Sequence, residues 1–161
     1  MGDDERLSAV ADELGLLLDE LRSLAANRSA GVHRKGVTNL YYASFHAVRA
    51  LLAAHGIESR THEGTQRLFA AHFVKPGLFD HAHIKTLGRL EADRLRADYQ
   101  GFYRFGPEDV EQSLGEVGAL SDAVLDYLNT LEPTALADPI AAVRAALAVV
   151  IPTRHPAQGA A

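Results

Sequence analysis

Apolar residues recur along most of this chain at spacings of three and four, the rhythm of helices buried along one face. In the first segment Leu7, Val10, Leu14, Leu17, Leu21 and Leu24 keep that rhythm and predict a bundle helix over residues 4–26. The polar stretch 27–35 then reads as a linker. A second helix is expected over 37–55, with Gly56 in the usual C-terminal stop position. Thr61 suits the N-cap of a short helix over 63–73, and Pro76-Gly77 marks a turn after it. A third long helix is predicted over 81–99. Gly106-Pro107 opens a fourth, because proline is tolerated at the first helical position and Glu108 and Asp109 suit the helix dipole there. Its stripe is Val110, Leu114, Val117, Leu120, Val124, Leu128 and Leu131. Asp138-Pro139 repeats the start signal for a short apolar helix over 139–151. No stretch alternates as a strand does. The pattern predicts an all-α protein, an antiparallel bundle of four to five helices over 4–131, followed by a flexible C-terminal extension over 132–161.

The second helix carries two stripes. Tyr41, Phe45, Val48 and Leu52, with Leu40, Ala47 and Leu51 beside them, form a core-facing surface. Asn39, Tyr42, His46 and Arg49 line up next to it at helical spacing. An amide, a phenol, an imidazole and a guanidinium so arranged either form a polar seam against another element or face a ligand. Both readings are open at this point.

Charge and composition narrow the chemistry. A net charge of −5 gives no global field that would gather nucleic acid, so an RNA contact needs a local basic patch. The one such cluster, His33-Arg34-Lys35, reads as a solvated linker ahead of the tyrosine-rich helix. Cysteine is absent, which excludes disulfides and thiolate chemistry. Asp80, His81 and His83 resemble a ligand set, yet no further ligand stands close in sequence, so neither a metal nor another cofactor is expected. Glycine-rich phosphate loops and nucleophile elbows are missing, which argues against kinases, dehydrogenases and hydrolases. The acidic opening MGDDERL lacks the order of an export signal, and the apolar runs 14–18 and 140–151 are short of a membrane span. A cytoplasmic protein away from the membrane is expected.

Four ordered motifs carry a family resemblance. They are Tyr41-Tyr42-Ala43 with Phe45-His46-Ala47 and Arg49-Ala50-Leu51-Leu52; His62 with Gly64; Phe73-Val74-Lys75 with Gly77; and Arg94 with Ala97-Asp98-Tyr99. Together they resemble the HEPN domain family, over roughly residues 4–131. The resemblance implies a four- or five-helix bundle that forms homodimers. It also implies a small nucleotidyltransferase partner, a role in toxin–antitoxin or other defence systems, and metal-independent endoribonuclease activity. The family's ribonucleases carry a motif arginine and a histidine with four to six residues between them. Here positions 99 to 101 are Tyr, Gln and Gly, and Asn39 stands where relatives often have arginine.

RNA cleavage needs a base for the 2′-hydroxyl, positive charge for the phosphate oxygens and a donor for the 5′-oxygen. Arg94 suits the charge, because a guanidinium matches phosphate with two parallel donors. Asp98 suits a base or an orienting partner for Arg94, Tyr99 a proton donor, and His46 is the imidazole best fitted to proton transfer. Asn39, Tyr42, Arg49 and Lys75 are the candidates for binding nucleotide or RNA. The alternative is a noncatalytic dimeric module that binds nucleotide, RNA or a partner protein through the 39–49 stripe. In that case Arg94–Asp98 is a plain ion pair, and His62 merely braces the helix it begins. Tyr99 is also a natural hydroxyl for modification by a nucleotidyltransferase.

Overall fold

The structure, a computed structural model, describes residues 2–151. Among these residues there are six α-helices and no strand: α1 (Asp3–Ser29), α2 (His33–Ala54), α3 (His62–Phe69), α4 (Ala82–Tyr99), α5 (Pro107–Leu131) and α6 (Ala137–Val150). A π-helical turn, Ala70–Val74, continues α3. The expected all-α bundle is what the chain forms.

Helix α2 is the central rod. Of its residues, Leu40, Ala43, Ala47, Val48, Ala50 and Leu51 are fully buried, and apolar positions run round most of its circumference. A helix apolar on several faces must be enclosed by neighbours. Here α1, α4 and α5 enclose it, with α3 beside its middle. The Leu14, Leu17, Leu21 and Leu24 stripe of α1 is buried in the same core as the α5 stripe from Val110 to Leu128. Leu131, the last residue of that stripe, is exposed where α5 ends. Helix α6 lies mainly on α1, with Ile140, Val143, Leu147 and Val150 buried, and it begins at Ala137. Arg28 donates to the Val150 carbonyl at 2.8 Å and ties that helix end down. The expected flexible tail after residue 151 lies outside the described residues.

Two boundaries depart from the pattern for identifiable reasons. The stretch 27–35 is mostly helix, because Gly31 at φ 71° reverses the chain within a few residues. The Val32 N–H then closes onto the Asn27 carbonyl at 2.8 Å. Its polar side chains mark a helix end and a helix start rather than a linker. The third helix was expected to stay α-helical to residue 73, but the ladder slips after Phe69, with the Lys75 N–H reaching the Ala70 carbonyl. That slip gathers Phe69, Phe73 and Phe79 into one ring cluster with Tyr127. Thr61 does cap α3, accepting the Gly64 N–H at 2.9 Å.

Because Leu51 is fully buried in the core, a hole at its position has little room to collapse. Leu51→Ala should lower unfolding stability by about 2–5 kcal/mol, read as a shift in the urea midpoint with an unchanged slope. A loss below about 1 kcal/mol would show that α2 is not the enclosed core helix described here.

Candidate functional site

The polar stripe of α2 divides into two parts. Asn39 and His46 turn toward α1. The Asn39 amide donates to Glu20 Oε2 and accepts from Asn27 Nδ2, both at 2.8 Å. His46 Nδ1 meets Glu13 Oε2 at 2.8 Å, and Arg49 Nε donates to the other oxygen of the same carboxylate at 2.8 Å. Glu13 and Glu20 stand seven residues apart on α1, and their partners His46 and Asn39 stand seven apart on α2 in reverse order. That is the register of two antiparallel helices paired through a polar seam. Asn39 is buried, and its amide nitrogen and oxygen are each already engaged on α1.

The other part faces α4 and α3. The Arg94 guanidinium lies over the rings of Tyr41 and Tyr42, 5.1 and 5.7 Å from their centroids. Cations over aromatic faces are held by the ring quadrupole, more strongly as water is excluded. Arg94 is only 8% exposed, and its ion pair is a single 3.3 Å contact to Asp98 one turn along. Its Nε is buried with no hydrogen-bond partner among the described residues. A buried charged donor left unmade is costly, and in native proteins it calls for a reason.

His62, the first residue of α3, completes the group. Its Nδ1 lies 2.6 Å from the Tyr41 hydroxyl. Its ring sits 4.7 Å from Phe45 and about as close to Tyr41, at 5.5 Å. Burial first, and the Arg94 cation second, push its pKa below the ordinary imidazole value; Arg49 adds to that and Glu91 opposes it. Burial also drives the Tyr41 phenol well above the ordinary value, with Glu91 adding to it. Tyr41 is therefore a neutral hydroxyl and His62 a largely neutral imidazole at pH 7.

The structure thus brings Arg94, Tyr42, His46 and Arg49 into one neighbourhood. Tyr42 lies under Arg94, stacks on His46 at 6.3 Å, and His46 shares Glu13 with Arg49. Asp98 borders it through its ion pair. Tyr99 follows on α4 but is 77% exposed. Lys75 is exposed in the turn after the π-helical segment, and none of the contacts that build the cluster involves it. Asp80 accepts the Ala82 N–H at 2.8 Å and so caps α4, and no group of metal-ligand residues occurs among the described residues.

The sequence model of the HEPN domain matches residues 18–127. The chain belongs to the HEPN family. Among curated HEPN-type relatives, it is 36% identical to the UPF0332 protein PH1297 of Pyrococcus horikoshii over 76 residues, 47% of this chain and 54% of that one. It is 29% identical to a UPF0332 protein of Thermotoga maritima over 115 residues, covering 71% of this chain and 85% of the relative. A 68-residue match, 29% identical and covering 42% of this chain and 51% of the other, is to the protein of Methanocaldococcus jannaschii named "Putative toxin MJ0605". The chain therefore spans about half the length of the Pyrococcus and Methanocaldococcus proteins. No helix of this HEPN protein is long and apolar enough to cross a membrane, among the described residues.

Sequence reasoning missed the acidic side of the site. The line Glu13, Glu20, Asn27 repeats every seven residues on α1 and matches Asn39 and His46, so its spacing could have exposed the seam. It also undervalued Arg34. That residue stands in the first turn of α2, where its guanidinium donates to the Ala97 carbonyl at 2.6 Å and to the Tyr103 carbonyl. It also covers Phe105, 5.6 Å from the ring centroid. It is a C-terminal clamp on α4, not a solvated linker residue, and it fixes the helix end that carries Asp98 and Tyr99.

Two outcomes follow from this geometry. Glu13→Ala strips both His46 and Arg49 of their shared acceptor and should cost about 1–3 kcal/mol of stability; a measured change within 0.5 kcal/mol or so would mean the seam is idle. The depressed pKa of His62 also sets a pH dependence. Unfolded imidazoles protonate near 6.5 while the folded one stays neutral, so stability is full above that value and falls as pH drops through it. His55 and His83, lowered chiefly by burial, act in the same direction. Thermal midpoints should decline from pH 7 to 5, and less steeply in His62→Gln.

Proposed function

We propose that this protein is the toxin-type HEPN member of a two-component system, and that it binds and cleaves RNA at the Arg94 cluster without a metal. The single observation that carries the reading is the state of Arg94. It is a buried cation with one long ion pair, an unmade Nε hydrogen bond and two tyrosine faces beneath it. A structural arginine buried at comparable cost normally has its donors satisfied. A phosphate would supply both the charge and the missing acceptors. The two M. jannaschii relatives named "Putative toxin" support the biological setting.

In this reading Arg94 neutralises the phosphate, Asp98 orients it, and Tyr42 offers a ring to a base or ribose. A second copy of the chain and a small nucleotidyltransferase are the expected partners. The hydroxyl of Tyr99, in solvent beside Asp98, is where such a transferase would act. The competing reading is a noncatalytic module. It draws on Asn39, His46 and Arg49, whose polar atoms are largely spent on α1, and on the absence of histidine from the motif end of α4.

The test is incubation of the purified protein with tRNA and mRNA in chelator. Cleavage is expected, and Arg94→Gln should lower it by roughly 10²-fold or more, the scale of losing one transition-state charge contact. Arg94→Lys should recover little, because an ammonium lacks the paired donors. Circular dichroism checks that each variant is folded. Saturable RNA binding with intact RNA would favour the noncatalytic module.

A further inference from the structure

The motif end of α4 has no imidazole, yet the folded chain sets one, from a different helix, at the same two tyrosine rings as Arg94. His62 and Arg94 share the Tyr41 ring, lying 5.5 and 5.1 Å from its centroid. They share Tyr42 as well, at 6.1 and 5.7 Å. One nitrogen of His62 is committed: Nδ1 pairs with the Tyr41 hydroxyl at 2.6 Å. Nε2 has no protein partner among the described residues and is not sealed in the interior. His46, the other imidazole of the neighbourhood, is instead bound to Glu13 in the α1 seam.

We infer that His62 is the general base of this site, accepting the proton of an RNA 2′-hydroxyl at Nε2 while Arg94 binds the phosphate, with Tyr41 as the positioning residue that holds the ring. The inference rests on the ribonuclease reading above.

The local geometry supports each part of this role. Thr61 caps the N-terminus of α3 and so fixes the backbone from which His62 projects. Phe45 and Tyr42 confine the ring laterally. The charged groups around it are Arg49 on α2, Arg94 and Glu91 on α4, and Glu63 on its own helix. Burial and the two guanidinium groups keep it unprotonated near neutral pH, which is the form a base needs. The role takes the tautomer in which Nδ1–H donates to the Tyr41 oxygen, which leaves the lone pair of Nε2 free.

The step balances without an added reactant. The 2′-oxygen forms a bond to phosphorus as the bond from phosphorus to the 5′-oxygen breaks. The 2′-proton passes to Nε2, and the departing 5′-oxygen takes a proton from a solvent water. The hydroxide left behind recovers the proton from His62. A 2′,3′-cyclic phosphate and a 5′-hydroxyl end result.

The experiment measures metal-free cleavage of an end-labelled RNA from pH 5 to 8 by wild-type protein, His62→Gln, His62→Ala with added imidazole, and Tyr41→Phe. Wild type should lose activity on the acid side with a midpoint below 6.5, the ordinary imidazole value. His62→Gln should lower kcat by about 10²–10⁴-fold with little change in KM, and abolish that acid limb. Imidazole should restore part of the rate to His62→Ala. Tyr41→Phe should keep an acid limb but shift it. Undiminished kcat in a folded His62→Gln, or a flat wild-type profile, overturns the assignment and leaves the ribonuclease reading standing. Intact RNA with wild-type protein defeats that reading first, and the assignment with it.

Discussion

Enclosure of α2 by its neighbours is the constraint from which the rest follows. Polar groups on the enclosed faces of a helix must be paired inside the protein. Ser44 returns its hydroxyl to the Leu40 carbonyl at 3.0 Å. Asn39 goes to Glu20 and Asn27, His46 and Arg49 to Glu13, and Tyr41 to His62. All of these partners except the Leu40 carbonyl lie on another helix, so the same bonds that satisfy α2 also fix where α1 and α3 sit against it.

Arg94 breaks the pattern. It approaches α2 from α4 and finds aromatic faces rather than carboxylates. Burial there strengthens the cation–ring attraction but leaves the directional donors of the guanidinium under-used. Around it stand a neutral phenol and an imidazole, both held uncharged by the same desolvation. A cluster that holds a buried guanidinium with unused donors beside fixed hydrogen-bonding groups is suited to an anion that brings its own oxygens. The clamp of Arg34 on the end of α4 keeps Asp98 and the exposed Tyr99 at the edge of this cluster.

Much of the fold was legible from the chain. The leucine ladder of α1 and the valine–leucine stripe of α5 are each single-faced, so spacing alone identified them. Helix starts at Thr61 and Pro107 rested on local capping chemistry, which needs no tertiary partner. Reading 27–35 as a linker went wrong for the converse reason. Asn27 and Arg34 are polar because they reach other helices, to Asn39 and to the end of α4, and a sequence shows composition but not distant acceptors. The π-helical slip after Phe69 was equally invisible, since ring packing among residues far apart in the chain selects it.

The candidate site divides along the same line. Local sequence determined that Tyr42, His46 and Arg49 share a stripe and that Arg94 and Asp98 stand one turn apart, because helical periodicity fixes neighbours within a helix. Only the packed structure decided which of these groups are already spent. It sent Asn39 and His46 to α1, left Lys75 out in a turn, and set His62 of α3 beside Arg94 of α4. Contacts between helices depend on how rods cross and on register, and neither is written in the spacing of any single rod.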